Sequence, residues 1–172
     1  MLHNGHSANQ SPYRIVVSRG ALGFAAAHFA TFAGQAEPLH GHNYAVSVEV
    51  EGDLTADAWV LDFGELKAVA AALCRRLDHR FILPTRNPRL QVRETHDGYE
   101  VRFGQRLYLF PGEDVVALPV ENSTAECLAR YLAEEMAREL QARGHVHLRM
   151  LRVEVEEGPG QSASYTMCLQ EG

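Results

Sequence analysis

The run His40-Gly41-His42-Asn43-Tyr44 leads straight into Val46, Val48 and Val50, which alternate with Ala45, Ser47 and Glu49. A period of two belongs to a β-strand with one face in a core and the other in water. His40 and His42 share the parity of the three valines, so both imidazoles stand at the head of the apolar face. Glu51-Gly52-Asp53 closes the strand. Any fold of this chain must bury one side of this strand and accommodate two histidines at its start.

The flanking patterns supply what could cover it. Phe24, Ala26 and His28 share a parity, so a strand there places them on one face. Gly34 and Pro38 break the chain between the two strands and mark Ala33 to Pro38 as a loop. Asp62 is placed to cap a helix, with Glu65 as in a capping box, and Phe63, Leu66, Ala70, Leu73 and Leu77 form its apolar stripe. A second helix is predicted from Ser123, with Glu126 completing Ser-Thr-Ala-Glu. Leu128, Tyr131, Leu132, Met136 and Leu140 line its buried side, and Gly144 stops it. Two strands end the chain: Leu151, Val153 and Val155 alternate up to Glu157, and Ala163, Tyr165, Met167 and Leu169 alternate after Gly158-Pro159-Gly160. Residues 84–119 read as an insertion, in which Asp97-Gly98 ahead of Tyr99, Val101 and Phe103 signals a hairpin. This order predicts an α+β fold, an antiparallel sheet with both helices on one face. It forms a single domain over residues 12–172, preceded by a flexible N-terminus at residues 1–11.

Composition narrows the function classes. The 172 residues are 46% hydrophobic, enough for one domain with a core. A formal charge of −6 argues against sequence-independent nucleic-acid binding, which needs a basic surface. No apolar stretch approaches the roughly 20 residues of a membrane span, and the polar start does not read as a secretory signal. Cys74, Cys127 and Cys168 stand far apart with no CxxC pair, which disfavours a disulfide scaffold or a cysteine zinc module and fits a reducing cytoplasm.

Nine histidines are many for this length, and their placement matters. A hairpin-like connection would set His28 beside His40 and His42. Three converging imidazoles make a zinc site with an open fourth position, the catalytic rather than the structural type. By spacing alone the trio reads equally as such a site or as unrelated, locally satisfied histidines. His3, His6, His96, His145 and His147 carry no such geometry and read as solvated. Asp78 and His79 follow Leu77 at a helix end. Neighbours on a helix do not face each other, so they act together only if the chain turns there; otherwise His79 simply favours a helix C-terminus. Glu157 continues the parity of Leu151, Val153 and Val155 and so points inward, where a carboxylate needs a partner. It suits the paired N–H donors of a guanidine-like edge such as a pterin's, or equally a nearby arginine or backbone amides.

These segments together resemble the 6-pyruvoyl-tetrahydropterin synthase / 6-carboxy-tetrahydropterin synthase family: Phe24-Ala-Ala-Ala-His28, His40-Gly-His42-Asn-Tyr, Asp62-Phe63 with Glu65-Leu66-Lys67, Leu77-Asp78-His79, Ser123-Thr124-Ala125-Glu126, and Glu157 eight residues before Tyr165. The resemblance implies a tunnelling fold. A four-stranded antiparallel sheet with two helices closes as a trimer into a barrel, two trimers stack into a hexamer, and sites lie between subunits. It implies zinc on His28, His40 and His42, a catalytic Asp78–His79 pair working with a cysteine of the neighbouring subunit, a pterin held by Glu157, and ring contacts from the backbone at Thr124.

One departure bears on the chemistry. Members making pyruvoyl or carboxy products carry a cysteine just before His-Gly-His. Here that loop reads Gly34-Gln35-Ala36-Glu37-Pro38-Leu39, with no cysteine, and Glu37 stands three residues before His40. This looks like the subfamily in which glutamate replaces the cysteine and the side chain of 7,8-dihydroneopterin triphosphate is cleaved to 6-hydroxymethyl-7,8-dihydropterin, a folate precursor. A carboxylate is ionised at pH 7, and by taking a proton from a side-chain hydroxyl it would start a retro-aldol break. Lys67, Arg80, Arg86 and Arg89 are the cations nearest in sequence for a triphosphate. The competing readings are a 6-carboxy-tetrahydropterin synthase of queuosine supply or a 6-pyruvoyl synthase with Glu37 incidental, a pterin-binding metalloprotein without turnover, and a structural metalloprotein with no pterin site.

Overall fold

The alternating valines do form the central strand. In the computed structural model, which describes residues 13–18 and 20–169, β5 spans His40–Gly52 with Tyr44, Val46, Val48 and Val50 buried. Before it come β1 (Arg14–Val17), β2 (Gly23–His28) and the short pair β3 (Thr31–Phe32) and β4 (Gln35–Ala36). After it come helix α1 (Phe63–Leu77) and β6 (Arg80–Pro84). A three-stranded sheet follows, of β7 (Gln91–Glu94), β8 (Gly98–Phe103) and β9 (Arg106–Pro111), then β10 (Val115–Leu118). The chain ends with helix α2 (Ala125–Ala142), β11 (Leu148–Gly158) and β12 (Gln161–Cys168). The predicted flexible N-terminus at 1–11 lies outside the described residues, as do His3 and His6.

The α+β class holds, with two helices on a curled sheet, but the sheet is larger than four strands and is mixed. Its order is β10-β6-β2-β5-β11-β12, with β1 also paired to β5. The antiparallel set β2, β5, β11 and β12 forms its middle. The added strands β6 and β10 are parallel to their neighbours. Phe81, Ile82 and Leu83 are all buried, the continuous apolar run of a strand covered on both faces, so no alternation announces it. Segment 84–119 contributes β10 to the main sheet as well as the separate small one.

Helix ends follow their sequence signals at Asp62 and at Gly144. Asp62 caps α1 by accepting the Glu65 N–H at 2.8 Å. The Glu65 carboxylate does not close the box; it meets His145 Nε2 at 3.0 Å, with Arg143 at 3.6 Å. Gly144 ends α2 in the left-handed conformation (φ 86°), and the His145 N–H returns to Leu140 O as in a Schellman motif. The predicted cap at Ser123 is the exception. Thr124 is the N-cap and makes no side-chain cap bond. Ser123 is fully buried, and its hydroxyl donates to Phe29 O at 3.0 Å, so burial beside β2 diverts it from capping. Two of the histidines read as solvated also find partners: His145 on Glu65, and His147, whose Nε2 lies 2.7 Å from Val60 O.

One large core lies between the helices and the sheet, built from the β2, β5 and β11 inner faces with Leu66, Leu77, Leu128, Leu132 and Leu140. A second, smaller core joins Phe29, Phe81, Leu83, Val101 and Val115 and roots the inserted sheet. The Asp97-Gly98 signal does mark the β7–β8 connection, with Thr95 N–H bonded to Gly98 O. Gly98 is required by crowding, since a Cβ there would sit 2.0 Å from Phe110 O.

Candidate functional site

Sheet register assembles the histidines. β2 and β5 pair antiparallel with His28 opposite His40, Ala26 opposite His42 and Phe24 opposite Tyr44. The side chains of one parity all point to the same face, so three imidazoles meet at the open end of the core. Ring centroids lie 4.6 Å (His28–His40), 5.2 Å (His28–His42) and 4.8 Å (His40–His42) apart. One nitrogen from each lies within 4.8 Å of the other two.

Their tautomers are set from outside the cluster. Ser123 O lies 2.8 Å from His28 Nδ1, and Pro38 O lies 2.8 Å from His40 Nδ1. A carbonyl only accepts, so each Nδ1 carries the hydrogen and each Nε2 keeps a lone pair for another partner. Burial holds the His28 pKa below the ordinary imidazole value, which favours this neutral form. Its Nε2 is buried without a hydrogen-bond partner, yet Glu157 Oε1 is only 3.2 Å away. Two acceptors facing each other at that distance repel unless a cation or a proton lies between them. The donor set and this orphaned nitrogen therefore fit a zinc-type ion, one of the two readings that spacing left open and the one the resemblance implies.

Glu157 arrives by a bulge. β11 and β12 pair Glu156 with Ser162 and Gly158 with Gln161, leaving Glu157 as the extra residue, turned to the histidine side. Tyr44 donates its hydroxyl to Glu157 Oε1 at 3.3 Å. Burial, reinforced by Glu157, pushes the Tyr44 pKa well up, so this hydroxyl keeps its proton. Tyr44 was not singled out in the sequence, although its parity with His40 and His42 marks it.

Glu37 is brought in by a tight turn. Ala33 and Gly34 both have positive φ (46° and 80°), the type I′ arrangement that folds β4 back on β3. Glu37 then lies beside Ala30. Its N–H donates to Ala30 O at 3.0 Å, and its Oε2 accepts the Ala30 N–H at 3.1 Å. A cavity of about 280 Å³ gathers His28, Glu37, His40, Thr124 and Glu157, with Gln161 and Ser162 from the start of β12 on its wall. The last two carry no chemical signature in the sequence. His42 adjoins this group through Glu157, at 3.6 Å.

Asp78 and His79 do turn toward each other. Asp78 ends α1 with extended backbone and His79 takes φ 57°, so His79 Nδ1 reaches Asp78 Oδ2 at 2.9 Å. Asp78 Oδ1 accepts the Ala25 N–H at 2.8 Å, and the His79 N–H returns to Ala25 O. The pair is therefore stitched to β2, but His79 lines a second hollow, with Ala25, Ala27, Gly41 and Asn43 of the opposite parity and with His42, which borders it from the cluster. The two cavities share no residue. Among the candidate cations, Arg80 lines this second hollow and bonds Glu113 O, and Arg89 Nη1 approaches Gly34; Lys67 and Arg86 line neither cavity.

The Ala25 N–H, and secondarily His79, hold the Asp78 carboxyl below the usual carboxylate pKa. A depressed pKa adds stability that is present above the unfolded value of about 3.9 and is lost as pH falls through the folded one. Asp78 is partly exposed, so the effect is modest. Asp78→Asn is expected to lower the melting temperature at pH 7 by on the order of 2 °C. That gap should shrink below about pH 4; a gap that widens in acid would contradict this reading.

Comparison with known proteins adds the following. Residues 19–168 match the family model described as 6-pyruvoyl tetrahydropterin synthase. A putative 6-carboxy-5,6,7,8-tetrahydropterin synthase of Methanocaldococcus jannaschii is 33% identical over 150 residues, which cover 87% of this chain and 92% of the relative. The crystal structure of 6-pyruvoyl tetrahydropterin synthase from Plasmodium vivax superposes at TM-score 0.83 and 32% identity, covering 91% of this chain and 98% of that one. Variants of the P. vivax protein, also at TM-score 0.83, replace a glutamate described as a catalytic residue by alanine or cysteine. A shorter match, 43% over 44 residues, covers 26% of this chain and 38% of a dihydroneopterin monophosphate aldolase of Pyrococcus furiosus. No helix among the described residues is long and apolar enough to cross a membrane.

Proposed function

This chain belongs to the 6-pyruvoyl tetrahydropterin synthase family, and on that premise we propose that it is a zinc-dependent lyase. It would cleave the side chain of 7,8-dihydroneopterin triphosphate to 6-hydroxymethyl-7,8-dihydropterin, with Glu37 as the base. The observation that carries the reading is Glu37 itself, a carboxylate held at the mouth of the histidine cavity by the Ala30 N–H. The glutamate described as catalytic in the P. vivax relative and the aldolase name of the P. furiosus relative support it.

His28, His40 and His42 would hold the ion, with Ser123 O and Pro38 O orienting the first two rings. Zinc there would supply a Lewis acid that makes a substrate hydroxyl more acidic. Glu157 would accept two N–H donors from the pterin edge, with Tyr44 bracing it and the backbone at Thr124 bordering the ring. Glu37 would take the proton of a side-chain hydroxyl. The adjacent C–C bond then breaks: the deprotonated oxygen becomes the carbonyl of a released aldehyde that carries the triphosphate, the electron pair of the bond passes to the carbon next to the pterin, and a proton returned to that carbon gives the hydroxymethyl product. Asp78 orients His79, whose exposed imidazole would shuttle that proton from a neighbouring subunit, because one chain alone sets the pair in a different hollow. That arrangement favours a homo-oligomer, a hexamer formed as a dimer of trimers, with no nucleic acid or membrane as partner.

A second reading, 6-carboxy-tetrahydropterin synthase, is favoured by the name of the M. jannaschii relative. Product analysis separates the two. The zinc-loaded protein is incubated with 7,8-dihydroneopterin triphosphate and the pterin is identified by mass spectrometry. A 6-hydroxymethyl product is expected; a 6-carboxy or 6-pyruvoyl product would overturn the assignment of Glu37. Glu157→Gln is expected to weaken pterin binding at least tenfold, since an amide oxygen replaces one charged acceptor, and unchanged affinity would remove the anchor role.

A further inference from the structure

The inserted sheet reaches the Glu37 loop through one side chain. Arg106, the first residue of β9, donates from Nη1 to Ala36 O at 2.9 Å and to Glu37 O at 3.0 Å. The next carbonyl, Pro38 O, meets His40 Nδ1. On its other side the loop is tied to Ala30 through the Glu37 N–H and carboxylate. The support behind Arg106 is rigid. Tyr108 stacks on Phe29 with ring centroids 5.2 Å apart, and Phe110 stacks on Phe81 at 4.1 Å. Phe29 directly follows His28, so β9 is braced on the same stretch of chain that carries the cluster.

We infer that Arg106 is a positioning residue for the Glu37 carboxylate, and that the inserted sheet sets the loop that aims it into the cavity. This rests on the reading of Glu37 as the base. A guanidinium that fixes two successive carbonyls leaves the intervening peptide little freedom to rotate, and the carboxylate follows that peptide. A misplacement of about 1 Å in a reacting group can cost on the order of 100-fold in rate.

The test compares the zinc-loaded full chain with Arg106→Ala, Arg106→Lys, Glu37→Gln and the double variant Arg106→Ala/Glu37→Gln, using 7,8-dihydroneopterin triphosphate as substrate. Arg106→Ala is expected to lower kcat roughly 10- to 100-fold with KM and zinc content little changed. Amide exchange at Ala30 and Glu37 should accelerate. Arg106→Lys should restore part of the rate, since an ammonium can still donate to one of the carbonyls. In the Glu37→Gln background, Arg106→Ala should cause no further fall. If Glu37→Gln is inactive while Arg106→Ala keeps full kcat, the positioning role is overturned and the base reading stands. If Arg106→Ala lowers the rate equally in both backgrounds, Arg106 acts elsewhere and the inference falls. A fully active Glu37→Gln removes the base reading, and this inference with it.

Discussion

His40→Ala is expected to lose bound zinc and turnover together. His40 is exposed at the start of β5, and among the described residues its ring is held by Pro38 O and its neighbours in the cluster. Removing it leaves no hole in the core, so the metal-free variant should fold and melt close to the metal-free parent. Disturbing a residue that merely orients a metal ligand costs roughly 10- to 100-fold in affinity. Losing one of three ligands costs at least that. A second signature follows from linkage. An ion that binds only the folded chain stabilises it by about 2.7 kcal/mol when its free concentration is 100-fold above Kd. A chelator should therefore lower the melting temperature of the parent and leave that of His40→Ala unmoved. Metal analysis after dialysis, paired with thermal melts with and without chelator, checks both. One zinc per chain retained by His40→Ala would refute the ligand assignment.

The histidine cluster was legible because a strand's period of two is written in side chains: His40, His42 and Tyr44 share the parity of the core valines, and antiparallel pairing sets His28 opposite His40. Glu157 was legible for the same reason, although the bulge that turns it inward was not. What failed to show follows a different logic. β6 is buried on both faces, so it has no alternation to read, and its parallel partners are remote in sequence. Ser123 matches a capping box, yet burial beside Phe29 and His28 gives its hydroxyl and its carbonyl other work. The tie between Glu37 and Ala30 depends on two consecutive positive φ values, one of them at an alanine, which local composition does not announce. The residues alone left Asp78 and His79 open between a working pair and a plain helix end; the positive φ at His79 joins them, and only the fold shows that they open on a hollow other than the one that holds Glu37.

Glu37→Gln is expected to lower kcat by at least about 100-fold, within the usual range for removing a general base, while zinc content and pterin affinity stay near those of the parent. The substitution is chosen for its shape. Glutamine keeps an oxygen that can accept the Ala30 N–H, and the backbone bond from residue 37 to Ala30 O does not involve the side chain, so the loop should hold its place. What is lost is the charge that takes a proton. The zinc ligands and Glu157 are carried by β2, β5 and β11, and the loop's contact to His40 comes from the Pro38 backbone carbonyl, which Glu37→Gln leaves in place, so binding and turnover should separate. Steady-state kinetics, zinc analysis and equilibrium titration with a pterin on the same preparation make the comparison. Lost zinc would show that Glu37 acts on the metal site and not on the substrate's proton. Full turnover with glutamine at this position would remove the base from the mechanism. Proton transfer would then fall to Glu157, which lines the same cavity, or to His79, which one chain alone does not bring to it.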